Sequence, residues 1–221
     1  MNVETGLRER KKQQTRQLIA DTARDLFAER GFDAVTVAEI AREADVAEKT
    51  VYNYFPTKED LFYSRLETFE EELLAAIRRR PPGETIVAAF RGYLLDQQGA
   101  LAMRASGGDD EATRRVRTVT RVITESPALL ARERQVFERY TESLATLIAE
   151  ETGAALDDAE PWAVAHALLG VHRSLIDYVR RRTLAGARAA VIAREVRMQA
   201  ERAFTLLEDG LGDYAAKRRG N

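Results

Sequence analysis

Apolar residues recur along this chain at the spacing of helices and not in the alternation of strands. In the first long stretch, Ile19, Ala23, Leu26 and Phe27 fall at i, i+4, i+7 and i+8, on one face of a helix. Strand signals are nearly absent and only five prolines interrupt the pattern, which therefore predicts an all-α protein of about nine helices. The expected helices span about 8–29, 36–44, 48–54, 57–77, 84–103, 110–125, 128–151, 160–184 and 188–212.

Two short segments carry the signature of a capped helix start. Thr36 with Glu39, and Thr57 with Asp60, have the spacing of a capping box, in which a hydroxyl and a carboxylate satisfy the free amides of the first turn. Pro56 separates the third expected helix from the fourth.

The first three expected helices have the order of a helix-turn-helix. A long helix precedes two helices of about two turns joined at residues 45–47, and in this motif the second short helix enters the major groove of DNA. We therefore expect a DNA-binding domain at residues 1–56 and a larger helical domain at residues 57–221.

Periodicity divides the second short helix into two faces. Val51 and Phe55, four residues apart, are expected in the core. The residues left for the opposite face are Glu48, Lys49, Tyr52 and Asn53. Asn can read adenine, Lys can donate to guanine, a Tyr ring can contact a thymine methyl, and Glu can accept from cytosine or orient the neighbouring Lys. Such a face is more often merely solvated, and only its conjunction with the basic first helix and the capped helices favours DNA binding.

Residues suited to phosphate contacts flank this helix, because hydroxyls, ammonium groups and free amides at helix ends can meet phosphates. The flanking candidates are Thr36, Thr50, Tyr54 and Lys58, and the first helix adds Arg10, Lys11 and Lys12. The net charge of −2 argues against nucleic acid, but residues 8–16 alone carry five basic side chains against one acidic.

Composition narrows the class of protein further. The absence of cysteine excludes a disulfide scaffold or a thiolate zinc site and fits a reducing compartment. The first residues lack the apolar region of a signal peptide, and the longest nearly apolar run, 162–171, is about half of the roughly 20 residues that span a bilayer. We expect a cytoplasmic protein with no membrane partner.

Two other classes of function fit less well. A helical-bundle enzyme would have to use Glu150 or Glu151 with a histidine, but none of the common nucleophile, metal or nucleotide motifs occurs, so neither catalysis nor a cofactor is expected. His166 and His172 lie roughly 120° apart around a helix, too far to share a metal, and are expected to be satisfied core or interface residues. A non-specific DNA-binding adaptor or nucleoid protein remains the alternative; it would show no preferred palindrome against random DNA.

The stretch "AERGFDAVTVAEIAREADVAEKTVYNYFPTKEDLF", residues 28–62, resembles the N-terminal DNA-binding domain of the tetracycline-repressor (TetR) family of bacterial transcription regulators. The shared motifs are "G-F-D-A-x-T-V", "I-A-x-x-A-x-V" and "T-V-Y-x-Y-F-x-x-K-E-x-L", which are specific as a set and cover about a quarter of the chain.

Members of that family are all-α homodimers that bind an effector in the larger domain and dimerise through their last two helices. The resemblance therefore implies a repressor whose partners are a palindromic DNA operator, a small-molecule effector and a second copy of the chain. The resemblance implies that the DNA backbone is contacted by Thr36, Thr50, Tyr52, Tyr54 and Lys58. It implies that the bases are read by Glu48, Lys49 and Asn53.

Two residues depart from the family pattern. Asp45 stands where Gly is usual in the turn, which is tolerable because Asp accepts a left-handed conformation better than most residues. Ala47 stands where a Ser often caps the recognition helix, a loss of about 1 kcal/mol. A slightly looser helix with retained function is expected.

The larger domain offers candidates for dimerisation and ligand binding. The helix expected at 160–184 is apolar on nearly all sides and so should be buried on all sides, paired with the helix at 188–212 in a four-helix dimer interface. Candidate interface residues are Leu168, Leu175, Val179, Val196 and Phe204. Candidate pocket residues on the middle helices are Phe90, Tyr93, Met103, Arg121, Phe137, Tyr140 and His166, although aromatic residues at this spacing are usually ordinary core.

Overall fold

Every regular element that the structure describes is an α-helix, which confirms the all-α fold. The structure is a computed structural model that describes residues 3–64, 66–96, 108–155 and 157–211. Its helices are α1 (Val3–Arg30), α2 (Val37–Glu43), α3 (Glu48–Tyr54), α4 (Lys58–Phe62), α5 (Leu66–Arg78), α6 (Ile86–Leu95), α7 (Gly108–Glu125), α8 (Pro127–Thr152), α9 (Ala159–Leu184) and α10 (Ala189–Leu211).

The chain divides into two compact units. The N-terminal unit is Met1–Glu67 with Arg121–Arg132, and the C-terminal unit is Thr68–Thr120 with Glu133–Asn221. A separate DNA-binding domain that ends at residue 56 stays a prediction.

The core of the N-terminal unit is built on the apolar face predicted for α1. Ile19, Ala23 and Phe27 are buried, and α1 packs against α2 and α4 while α2 packs against α3. The helix ends at Arg30, before Gly31, whose φ of 82° is the left-handed conformation that glycine adopts without strain.

Both predicted capping boxes are present. The Thr36 hydroxyl accepts from the Glu39 amide and the Glu39 carboxylate accepts from the Thr36 amide, and the same reciprocal pair joins Thr57 and Asp60. These bonds satisfy the free amides of α2 and α4, so the chain turns sharply into each helix.

The turn between α2 and α3 confirms the expected role of Asp45. Its φ is 53°, and the amide of Val46 donates to the carbonyl of Ala41 at 2.9 Å, as in a Schellman motif. Ala47 begins α3 without a side-chain cap, again as expected. Asp thus supplies the left-handed residue that the helix-turn-helix needs.

The prediction of a single long helix after Pro56 is wrong, because this stretch forms two helices, α4 and α5. The helix stops at Tyr63, with φ −92° and ψ 17°. The Tyr63 ring is buried and its hydroxyl donates to the carbonyl of Leu129 at 3.2 Å. A contact distant in sequence accompanies the break, so local periodicity could not reveal it.

Residues 121–132, at the junction of α7 and α8, complete the N-terminal unit. Val122, Ile123 and Leu129 are buried in its core. Ser126 donates to Asp33 at 2.9 Å. Nearby, the Arg132 guanidinium donates twice to Asp60 Oδ1, at 2.6 and 3.1 Å. Asp60 therefore serves its own capping box with one oxygen and an ion pair with the other, which ties α4 to α8.

In the C-terminal unit, α10 packs against α9 and α6, with the rings of Phe90 and Phe204 6.0 Å apart. Two residues after the end of α5, the Arg80 side chain is only 2% exposed and pairs with Glu151 at 2.5 Å. It also donates to the carbonyls of Ile77 and Glu84, at 2.9 and 3.2 Å. Glu151, a candidate in the enzyme interpretation, is thus held in an ion pair with a buried arginine.

In the ranges that the structure covers, none of the helices has the length and apolar character needed to cross a bilayer.

Candidate functional site

Helix α3 has one buried and one exposed face, at the positions that its periodicity predicts. Val51 and Phe55 are buried, and the ring of Phe55 lies 4.8 Å under the Arg16 guanidinium. The remaining face is exposed: Glu48, Lys49, Tyr52 and Asn53. Tyr52 is 47% exposed, so this helix presents a large aromatic ring to solvent and does not bury it in the core.

The flanking candidates differ in how much surface they keep. Thr36 is exposed, but its hydroxyl donates to Glu39 Oε2 at 2.8 Å, so a phosphate would have to share it or use the amides nearby. Thr50 is half-buried, and Tyr54 packs against the core of the N-terminal unit. Only the solvent-exposed atoms of these three side chains are available to contact DNA phosphates.

The capping carboxylate of α2 is held in its charged form. The pKa of Glu39 falls to about 2, chiefly because the Thr36 amide and then the Thr36 hydroxyl donate to it, with Arg30 adding an attraction at 3.2 Å. The start of α2 therefore keeps its geometry across the neutral and mildly acidic range.

Lys58 is held against aromatic rings. Its Nζ lies 4.2 Å from the centre of the Phe32 ring and 5.9 Å from that of Phe27, in cation–π geometry. Partial burial lowers the pKa of Lys58, opposed by the nearby carboxylate of Asp33. A cation fixed in this way can contact a phosphate with little further loss of side-chain freedom.

Arg10, Lys11 and Lys12 are exposed on α1. The basic segment is therefore helical and lies at the surface, and its contacts with phosphates stay a prediction.

The candidate pocket residues do not form one group. Tyr93, Phe137 and Tyr140 belong to an aromatic cluster in the C-terminal unit that also contains Phe69 and His172. Phe90 instead packs on Phe204. Of the others, Arg121 is exposed in the N-terminal unit, His166 is exposed beside Trp162, and Met103 lies outside the described residues.

His172 at the centre of this cluster is the residue that sequence reasoning missed. Its side chain is expected from the sequence to be satisfied, but both ring nitrogens are buried and have no hydrogen-bond partner among the described residues. The signal in the sequence was a titratable residue on an apolar helical face, between Leu168 and Leu175. Burial lowers the pKa of His172 to about 4, so the imidazole is neutral at physiological pH.

The pH dependence of stability should report this burial. Unfolded His172 takes up a proton near pH 6.5 and the folded residue only near pH 4, so stability falls as the pH drops through that window, by roughly 3 kcal/mol. Urea titrations from pH 7 to pH 4 should show that His172→Leu lacks this loss and His166→Leu keeps it. Parallel pH profiles for wild type and His172→Leu would contradict the assignment.

The candidate dimer residues lie mostly inside the protomer. Leu168, Leu175, Val196 and Phe204 are buried within the C-terminal unit, and Val179 is half-buried. The first four leave almost no surface for a partner, because each is at most 3% exposed within its own protomer. An interface through these two helices stays a prediction, and it would need their exposed residues.

The capped α2, the turn at Asp45 and the exposed face of α3 define a helix-turn-helix protein, and the described elements of its second unit are helices. The chain matches the bacterial regulatory proteins of the tetR family at residues 19–64 and the MftR C-terminal domain at residues 98–212. It belongs to the TetR family of bacterial transcription regulators.

Individual relatives agree with this assignment. The HTH-type transcriptional regulator TcmR of Streptomyces glaucescens is 31% identical over 153 residues, which cover 69% of this chain and 67% of TcmR. MftR of Mycobacterium tuberculosis is 28% identical over 169 residues, 76% of this chain and 81% of MftR. The structure of GusR from Salmonella enterica aligns with a TM-score of 0.53 at 21% identity, over 90% of this chain and 95% of GusR, which supports the fold.

Proposed function

We propose that this chain is a sequence-specific repressor of transcription that a small-molecule effector releases from DNA, and that it acts by binding and not by catalysis. The observation that carries the proposal is the exposed face of α3, where Tyr52, Asn53 and Lys49 stand in solvent while Val51 and Phe55 fill the core. An α-helix is about as wide as the major groove, so this face can reach base edges.

The residues of this face have distinct roles in the proposal. Asn53 pairs with adenine, Lys49 donates to guanine, and Glu48 accepts from cytosine or orients Lys49. Tyr52 contacts a thymine methyl with its ring or a phosphate with its hydroxyl. Around them, phosphate contacts from Thr36, Thr50, Tyr54, Lys58, Arg10, Lys11 and Lys12 set the register of the protein on the duplex.

The repressor acts as a homodimer in the cytoplasm. Four large apolar side chains remain exposed on the described parts of α9 and α10, at 37 to 73% of their surface: Trp162, Leu184, Met198 and Leu206. Pairing these helices with their symmetry mates would cover such side chains. A two-fold dimer places two α3 helices on DNA, so the operator is a palindrome.

Release by the effector needs a difference in affinity. A ligand shifts the protein away from the DNA-binding arrangement only if it binds the other arrangement more tightly. The effector is therefore proposed to change the separation or tilt of the two α3 helices of the dimer.

Selection of binding sites from random duplexes tests the proposal. The full chain should enrich a palindrome and keep it against a large excess of random DNA, with an affinity advantage of at least about a thousandfold. Uniform binding that depends only on salt would instead indicate a non-specific adaptor or nucleoid protein.

The base-reading role of Lys49 and Asn53 gives a separate prediction. Alanine at either position should relax the preference at one base pair in each half-site, by about 1–3 kcal/mol of discrimination. Lys12→Ala is the matched control, since loss of a phosphate contact should weaken all duplexes about equally. Unchanged base preferences in both α3 variants would remove these two roles.

A further inference from the structure

The imidazole of His172 has hydrogen-bonding capacity that the described fold leaves unused. The residue is 3% exposed, and within the part of the chain that the structure describes neither Nδ1 nor Nε2 has a hydrogen-bond partner. Most buried polar groups in proteins are satisfied, because an unpaired group loses its hydrogen bonds to water on burial and gains none in return. An orphaned pair of nitrogens in one side chain therefore calls for a functional explanation.

The surroundings of His172 are aromatic. The ring of Phe69 lies 4.9 Å from the imidazole at an interplanar angle of 31°, and that of Phe137 lies 5.4 Å away at 51°. Tyr140 contacts both phenylalanines, and Tyr93 contacts Phe69. Because α5, α6, α8 and α9 each contribute a ring, an aromatic guest at this cluster could make stacked or edge-to-face contacts with several of them.

Charged groups at the margin of this cluster are engaged with other residues. The Tyr93 hydroxyl donates to Glu72 at 3.1 Å. Glu70 accepts from Arg139 at 2.8 Å and from Ser143 at 2.6 Å. Arg139 and Arg173 are exposed, and their guanidinium groups lie 5.7 Å from the centre of the Tyr140 ring and 6.0 Å from that of Phe137. A charged group placed against the imidazole itself would meet a neutral partner and would lose its hydration, which is costly.

The chemistry of the neutral imidazole narrows the ligand further. One nitrogen carries a hydrogen and donates, and the other accepts. A hydroxyl group complements either nitrogen, since it can accept from the N–H or donate to the bare nitrogen.

We propose that His172 and the rings of Phe69 and Phe137 form the recognition point for the effector, and that the effector is an uncharged aromatic molecule bearing a hydroxyl group. This inference rests on the proposed function in so far as it concerns an effector. The site itself concerns the C-terminal unit alone and can be tested without DNA.

The test is a titration of the full chain, without DNA, with 2-naphthol and with 2-methylnaphthalene, a probe of similar shape that has no hydrogen-bonding group. Wild type should bind 2-naphthol about tenfold more tightly, the effect of one hydrogen bond in a buried site. This preference should vanish in His172→Leu and in His172→Phe. It should persist in His166→Leu, the matched control, because His166 is exposed on the same helix.

Several results would overturn the inference: equal affinity of wild type for the two probes, binding of neither, or a preference that survives both substitutions at position 172. A lower Tm in both the Leu and the Phe variant would also overturn it, because apolar replacements should remove the cost of two orphaned nitrogens. Retention of the selected palindrome by His172→Leu, measured separately, would show that DNA binding does not depend on this site.

Discussion

Tyr52→Ala is expected to weaken operator binding by about tenfold to a hundredfold, the range for loss of one good contact in a groove. Tyr52 is 47% exposed on α3, so its removal should change stability by no more than about 0.5 kcal/mol. Fluorescence anisotropy with the selected palindrome measures the affinity. Sedimentation and thermal unfolding should show an unchanged assembly and an unchanged fold.

Tyr52→Phe is the matched variant for this prediction. It keeps the ring and removes the hydroxyl, so near wild-type affinity would indicate contact with a thymine methyl and a loss like that of alanine would indicate a phosphate contact. Unchanged affinity in both variants would count against the placement of the α3 face in a groove.

Arg80→Ala is expected to destabilise the protein by about 3 kcal/mol or more, the cost of breaking a buried ion pair. The Arg80 side chain is 2% exposed and pairs with Glu151 at 2.5 Å. Its loss also leaves the carbonyls of Ile77 and Glu84 without these donors. For a chain of this length the Tm should fall by roughly 6–12 °C in a thermal unfolding scan.

Arg79→Ala provides the control for Arg80, because Arg79 is exposed and donates to the carbonyl of Ala75, four residues earlier in the chain. Its Tm should stay within about 2 °C of wild type. Glu151→Gln should lie between the two, since the amide keeps one acceptor for the guanidinium. Equal Tm values for Arg79→Ala and Arg80→Ala would contradict a stabilising role for the ion pair.

Helix positions and caps could be predicted because the information is local. Thr36 and Glu39 are three residues apart, and this spacing fixes which side chain can reach which amide. The capping box could therefore be predicted from the sequence. Asp45 likewise marked the left-handed turn. The break at Tyr63 was missed because its hydroxyl bonds to Leu129, 66 residues away.

The candidate site divides in the same way. Burial of Val51 and exposure of Tyr52 follow from the period of one short helix, so both faces of α3 were predictable. The state of His172 was not, because it depends on what α5 and α8 place beside it. Leu168 and Phe204 were assigned to a dimer interface for a related reason: an apolar residue looks the same in sequence whether its own protomer or a partner covers it.

The sequence by itself determined the helices, their capped starts, the turn of the helix-turn-helix and the polar face of α3, since each depends on residues within two turns of one another. Only the tertiary structure decided that residues 121–132 belong with the N-terminal unit, that Arg80 is buried against Glu151, and that both His172 nitrogens lack hydrogen-bond partners among the described residues. Those facts depend on side chains brought together from distant parts of the chain, and helical periodicity does not show which helix faces pack against each other.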